Sequence, residues 1–276
     1  MGAILALMSA IAWGVADYIG GFASRRAGAT PVLLAAYPAG AVILSFFLLL
    51  IPGEFSALTL VWGIAAGGVG VVAIALLYVA LSRGPMGVVS PITAVMSGAV
   101  PVVVGLLRGE RLTLYAMAGI VLAALAVTLV SRQRGEHARF RPSTIWLALA
   151  GGLFIGLYLA ALGTAPAGSG IWTVTIARWT STLMIAPAVF AVARRVDGRP
   201  FPWLLAMGCG VLDASANGAF QLAAQHGQLS VVAVLASLYP ATTALLARLL
   251  LYERLNRLQL VGIVLALGAA ALLAVA

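Results

Sequence analysis

Runs of about twenty apolar residues recur from one end of this chain to the other, and that recurrence decides what it can fold into. A bilayer core takes roughly 20 residues of helix to cross. By that ruler, spans are expected near 2–22, 31–51, 58–82, 86–107, 112–131, 143–162, 171–193, 203–225, 228–250 and 255–275. The punctuation is short and polar: Arg25-Arg26, Pro52-Gly53-Glu54, Arg83-Gly84-Pro85, Gly109-Glu110-Arg111, Arg194 to Pro202, and Glu253-Arg254. Membrane barrel strands would alternate in character over about ten residues, whereas these runs are apolar all round, so they are read as helices. Charged residues make up 8% of the chain against 63% hydrophobic ones. A soluble domain carries roughly 25% charge, and a chain this poor in it could not cover its own surface with polar groups. The expectation is an all-α integral membrane protein of ten transmembrane helices.

The longest polar gap runs from Ser131 to Ser143 and divides the chain near its middle. The two sides repeat at a constant offset of 143 residues. Gly84 matches Gly227, and Val88-Val89 match Val231-Val232. Glu110-Arg111-Leu112 match Glu253-Arg254-Leu255, and the Gly-Ile-Val-Leu-Ala stretch from Gly119 returns at Gly262. Apolar matches are cheap in this composition, but Glu-Arg-Leu followed by Gly in step is not. The expected organisation is a first five-helix repeat over 1–131, a polar linker over 132–142 and a second repeat over 143–276. An odd number of helices per repeat makes the second copy enter the membrane from the opposite side. Inverted repeats of this kind frame a midplane site that opens to either side in secondary transporters.

The net charge of +9 comes from sixteen arginines and no lysine. They cluster in the gaps, so they are read as topology signals rather than as a nucleic-acid surface. Odd-numbered loops carry thirteen of them and even-numbered loops carry two, Arg108 and Arg111. By the positive-inside rule this places the odd loops in the cytoplasm and both termini outside, in a multi-pass plasma (inner) membrane protein. Cys209 is the single cysteine and the chain has two histidines, so no internal disulfide and no zinc site are expected. His226 lies at a span edge and His137 in the central loop. The Gly-x-x-x-x-Gly-Lys, His-Glu-x-x-His and Gly-x-Ser-x-Gly signatures are missing, so neither ATP hydrolysis nor another enzyme activity is expected, and no cofactor.

A charge inside a span costs roughly 3 kcal/mol at mid-bilayer and is therefore informative. Three qualify: Asp17, Arg178 and Asp213. Asp17 reads as a proton or cation coupling site, because burial moves a carboxylate toward neutral pH; the alternative is a helix-end residue near Arg25. Asp213 heads a stripe at four-residue steps with Asn217, Gln221 and Gln225, which lie roughly on one helix face. That face lines a substrate path or glues helices together, Gln225 more readily the latter. Arg178 either binds a substrate carboxylate, pairs with Asp213 or snorkels to the interface. Trp13, Tyr18, Tyr78, Tyr158 and Tyr239 also fall within spans, as cavity walls or as belt and core residues. Candidate substrate contacts are Asp213, Asn217, Gln221, Arg178, Trp13, Tyr18, Tyr78 and Tyr239. Pro91, Pro101, Pro187 and Pro240 are candidate kinks. Glu110 and Glu253, each followed by Arg, read as local ion pairs and helix starts.

Each half resembles the EamA domain of the drug/metabolite transporter superfamily. The resemblance rests on Tyr78-Val79-Ala80-Leu81-Ser82-Arg83-Gly84-Pro85, Pro101 and Leu107-Arg108-Gly109-Glu110-Arg111-Leu112. Its second copy runs from Gln225-His226-Gly227 through Tyr239-Pro240 to Tyr252-Glu253-Arg254-Leu255, with Tyr252 where the pattern has Gly. Ala12-Trp13-Gly14 resembles the family's first helix. The resemblance implies ten helices and transport of metabolites, often export of amino acids or related compounds, and for many members cytoplasmic termini. Ala16-Asp17-Tyr18-Ile19-Gly20-Gly21 also resembles the first helix of the small multidrug resistance transporters, whose membrane carboxylate exchanges protons for cationic drugs. Asp17 stands in that place, and its partner at offset 143 is Ala160, so such a site would be one-sided. The expectation is proton- or cation-coupled export of a small polar or amphipathic metabolite such as an amino acid, with a lipid or lipid-linked sugar flippase as the alternative. The implied partners are a small-molecule substrate and membrane lipid. A monomer suffices, because both halves of the inverted pair lie in one chain; a dimer is compatible.

Overall fold

A computed structural model describes residues 1–27, 29–83, 86–130, 142–193, 202–250 and 256–275, with side chains described outside 24–27, 29–30, 78, 81–83, 86–91, 142, 188–193, 244 and 247–248. Among the described residues every regular element is helical. In chain order they are α1 (Gly2–Ala27), α2 (Ala29–Phe47), α3 (Ala57–Arg83), α4 (Met86–Leu107), α5 (Leu114–Val130), α6 (Pro142–Gly163), α7 (Trp172–Ala193), α8 (Trp203–Gln225), α9 (Leu229–Ala236), α10 (Tyr239–Leu250) and α11 (Arg257–Ala274). The expected linker apart from Pro142, and the motif residues Gly84, Pro85 and Tyr252 to Leu255, lie outside the described residues.

One expected span is two helices. The run 228–250 breaks into α9 and α10 at Ser237-Leu238. Pro240 explains it: proline has no N–H to donate, and its ring clashes with the carbonyl four residues back. The backbone tightens through the break, with Leu238 N donating to Leu235 O at 3.2 Å and Ala241 N to Leu238 O at 3.0 Å. Proline does not act alike everywhere, since α4 and α7 run unbroken through Pro101 and Pro187.

The packing inverts that of a soluble protein. The centre is largely alanine with glycine crossings, while Ile4, Leu49, Leu106, Val121, Leu183, Leu204 and Val264 face outward. Lipid tails are as apolar as leucine, so helices gain by close approach of small residues rather than by hiding large ones. Among the described residues, four segments are each long and apolar enough to cross a membrane: Gly2–Ala23, Ala57–Leu77, Ser143–Gly163 and Arg257–Ala274. Shorter apolar stretches occur at Pro31–Phe47, Ile92–Leu107, Leu114–Val130 and Leu229–Thr243. Missing from both groups are α7 and α8, which carry Arg178 and the polar stripe.

Helices of the first half pack on helices of the second in matched pairs. α1 lies on α8 as α6 lies on α3, and α2 lies on α8 as α7 lies on α3. α4 lies on α6 as α9 and α10 lie on α1, while α2 and α7, and α5 and α11, pair across the centre. Exchanging the halves thus maps the contacts onto themselves. The α5–α11 crossing shows it residue by residue. A Cβ at Gly119 would come within 2.7 Å of Leu273 Cγ, and one at Gly262 within 2.7 Å of Val130 N. Gly119 and Gly262 are repeat mates, and so are Val130 and Leu273.

Candidate functional site

The polar residues placed inside the bundle converge from both halves. Arg178, two turns into α7, is 5% exposed, and its guanidinium pairs with the Asp213 carboxylate of α8. Of the three readings open from sequence, the structure adopts the ion pair. The ring of Tyr37, from α2, stacks under the guanidinium at 4.9 Å from its centroid, a further stabilisation of a desolvated cation. Arg178 Nε is buried and has no hydrogen-bond partner. Gly40, one turn from Tyr37, lets α2 approach α8 closely: a Cβ there would lie 2.8 Å from Gly210 O and 2.9 Å from Ala214 Cβ. Tyr158 of α6 is close enough to feel both charges of the pair.

Asp213 is held from one side only. Asn217 Nδ2 donates to the Asp213 carbonyl at 2.7 Å, and its contact with the carboxylate is longer, at 3.4 Å. The Asp213 side chain keeps 35% of its surface open. Asp17, on α1, is exposed, and the charges of Asp213 and Asp17 act on one another. Beside it Cys209 Sγ donates to Ala16 O at 3.3 Å, fastening α1 to α8. One turn beyond Asp17 on the same face, a Cβ at Gly21 would meet no other atom within 4 Å, and the same holds at Gly208 on α8. Two partly open carboxylates in an apolar bundle call for water beside them, because hydrocarbon cannot solvate a charge.

An aromatic corner adjoins the acids. Trp13 packs on Phe220 at 5.9 Å and edge-on to Tyr239 at 6.3 Å. Tyr239 opens α10 just past the break and lies within electrostatic reach of Asp17. Tyr18 is half-buried, and no hydrogen bond or ring contact ties it to this group. The Tyr78 side chain lies outside the described residues.

The lower stripe of α8, Gln221 and Gln225, is bonded to the neighbouring α7 and the segment before it. Gln221 is fully buried; its Oε1 accepts from Val174 N at 2.8 Å and its Nε2 donates to Ser169 Oγ at 3.3 Å. It caps the first turn of α7, where backbone N–H groups lack helical partners. Gln225 Nε2 donates to Gly170 O at 2.7 Å. Both amides are fixed to the segment before α7 and face protein, not a cavity.

That end of the bundle is sealed by bonds between loops. Glu54 N donates to Gly168 O at 2.9 Å and Trp172 Nε1 to Gly53 O at 3.2 Å. A Cβ at Gly53 would sit 2.7 Å from Ser169 O; one at Gly170, whose φ is +54, would sit 2.7 Å from Pro52 O. Glu110 corrects its reading as a local ion pair. Its carboxylate accepts from Leu229 N at 2.6 Å, from Ser230 N at 3.1 Å and from Ser230 Oγ, capping α9 from the other half. Gln228, at the N-cap position, makes no side-chain cap of its own. The turn that delivers Glu110 needs Gly109 at φ +88, and the carboxylate rests over Gly105, where any Cβ would collide with it.

A family model described as the EamA-like transporter family matches residues 1–132 and again 142–275. The chain belongs to the EamA-like transporter family. It is therefore a membrane protein of the drug/metabolite transporter superfamily, built of two copies of one helical repeat. One solved crystal structure of a protein superposes with a TM-score of 0.79 at 17% identity, over 98% of this chain and 95% of that one, which is a likeness of fold alone. A search of curated proteins gave no match. Among the described residues, no group of three or more His, Cys, Asp or Glu side chains is placed to hold a metal ion.

Two residues of the cluster were not selected from sequence. Tyr158 was noted only as an aromatic within a span, and Tyr37 was passed over altogether. The available signal was positional: Tyr37 precedes Pro38 in the middle of an apolar run, far from either interface.

Proposed function

We propose that this EamA-family protein is a secondary active transporter that moves a small polar or amphipathic metabolite, such as an amino acid, in exchange for protons or another cation. On this reading ten spans form two inverted five-helix repeats, and the substrate sits at the meeting of Asp17, Tyr37, Arg178, Asp213 and Tyr239. One observation carries it: an apolar bundle holds a buried arginine–aspartate pair and a second, exposed carboxylate within electrostatic reach of it. A structural pair needs no such neighbour. A site that must hold a zwitterion needs both signs, and the unpartnered Arg178 Nε offers a donor to an incoming carboxylate. Asp17 is the coupling residue, since a cation and a protonated carboxyl compete for one position.

The bonded loop end and the open space at Gly21 and Gly208 support one direction of access. The site is reached from the odd-loop side, the cytoplasmic side by the arginine count, and the even-loop end is closed. Export follows if the substrate loads there and the even-loop end then opens.

Proton flux into proteoliposomes carrying an internal pH dye tests this, with a panel of amino acids, amines and sugars. One solute class should drive proton movement in the parent and none in Asp17→Asn. Proton-coupled transport that survives Asp17→Asn would remove Asp17 from the mechanism and turn attention to Asp213. A parent that moves lipid but no panel solute would favour a flippase.

A further inference from the structure

Exchange of the halves maps the surroundings of Asp17, where α1 packs on α8, α9 and α10, onto a slot between α3, α4 and α6. There Ala160 takes the place of Asp17, Ala161 that of Tyr18 and Thr164 that of Gly21. The structure holds a cavity of about 410 Å³ at this place, walled by Trp62, Val104, Leu157 and Ala160, with Arg108 and Thr164 toward one end. Thr164 Oγ1 already donates to Ala161 O, at 3.4 Å. A water entering the slot would find almost nothing to bond, and ordered waters need two to four polar partners. Left empty, the walls forfeit their dispersion contacts. An apolar chain satisfies both conditions, and the protein is surrounded by such chains.

The charge at the slot selects which lipid. Arg108 follows the last residue of α4, at the even-loop end of the bundle. It is exposed, and among the described residues no acidic side chain pairs with it. Glu110, two residues on, is turned away and held by α9. From Arg108 the walls run inward for two turns of α6, from Thr164 to Leu157. A phosphate at the guanidinium thus leaves an acyl chain in line with the slot.

We propose that this slot is a binding site for an anionic membrane phospholipid, with one acyl chain between α3, α4 and α6 and its phosphate on Arg108. The site is the uncharged mate of the transport crevice and is independent of whichever solute that crevice carries.

Native mass spectrometry of the full chain tests it, released from micelles doped equally with phosphatidylglycerol and phosphatidylcholine. The parent should retain phosphatidylglycerol preferentially. Arg108→Gln should reduce that preference about fivefold, the share one arginine contributes to binding an anionic surface, while Arg108→Lys keeps most of it. Ala160→Phe fills the slot and should remove both lipid adducts. Arg108 is exposed, so its variants test the anion whatever becomes of Ala160→Phe. Equal retention of the two lipids by the parent, or an unchanged preference in Arg108→Gln, overturns the proposal. So does full lipid retention by a folded Ala160→Phe.

Discussion

The crevice of α1 against α8 and α10 and the slot of α6 against α3 and α4 are one piece of architecture made twice. The helices meet in matched pairs and the repeat offset carries one set of residues onto the other. The first holds an exposed carboxylate, Asp17, with an arginine–aspartate pair behind it. The second presents Ala160, Leu157 and Trp62, with its cation at the rim. The helix that closes each also differs, α4 being continuous and α9–α10 broken at Ser237-Leu238. Duplication supplied the frame, and substitution at a few positions assigned polar chemistry to one copy and lipid to the other.

The difference can be broken most severely at the pair. Arg178→Gln leaves Asp213 facing an apolar bundle without its cation. Loss of one partner of a buried pair costs about 3–5 kcal/mol, and the 35% exposure of Asp213 places this case toward the lower end. Thermal unfolding of the purified protein should fall accordingly. Arg178→Met with Asp213→Leu should regain most of that stability and still transport nothing; restored transport would make the pair purely structural.

Moving the carboxylate across the symmetry comes next. Ala160→Asp puts a charge into the slot at a cost of about 3 kcal/mol, read by the same unfolding measurement. Combined with Asp17→Ala it should not restore proton-coupled flux, because no arginine–aspartate pair stands behind position 160. Recovery of flux would mean the halves are interchangeable.

The symmetry itself is sharpened at α5 and α11. Gly119→Val and Gly262→Val each force a side chain into the facing helix. Overpacking costs about 1–3 kcal/mol, and Gly262→Val should cost the more, because its side chain meets the backbone N of Val130 whereas that of Gly119→Val meets the movable Leu273 side chain. A large loss at one glycine and none at the other would show that the crossing is not shared equally.

The smallest effect belongs to Glu110→Ala, which removes the cap on α9. A lost cap costs about 1 kcal/mol, a factor of about five in the ratio of open to closed at that end. Labelling of a cysteine placed at Ser169, in a Cys209→Ala background, by a membrane-impermeant maleimide should speed up by that factor. An unchanged rate would free Glu110 from any part in closure.

What sequence conveyed and what it withheld divide along physical lines. Helical class and the repeat rest on span length and on an offset of 143, both local or periodic properties. That Arg178, Asp213 and Asp17 matter follows from the cost of charge in hydrocarbon, again without a partner in view. Partners were the gap. Arg178 had three readings because which helix faces it is set by packing. Tyr37 was missed because its one signal, a place before Pro38 within an apolar run, names no partner until a cation lies over the ring. Gln221 shared a face with Asp213, but periodicity says only that both point one way, and its lower position met the start of α7. Pro240 was noted as a candidate kink, and the full break there needed the tightened bonds at Leu238 and Ala241 to be seen.

Glu110 also bears on the tempo of the molecule. A single carboxylate, carried by one half, takes three bonds from the start of α9 in the other. Those bonds cannot be surrendered one at a time by separate side chains; a small outward drift strains all of them together. The even-loop end should therefore wait, then open in one event, and its dwell time should be exponentially distributed, with Glu110 setting part of the rate beside the loop bonds of Glu54 and Trp172.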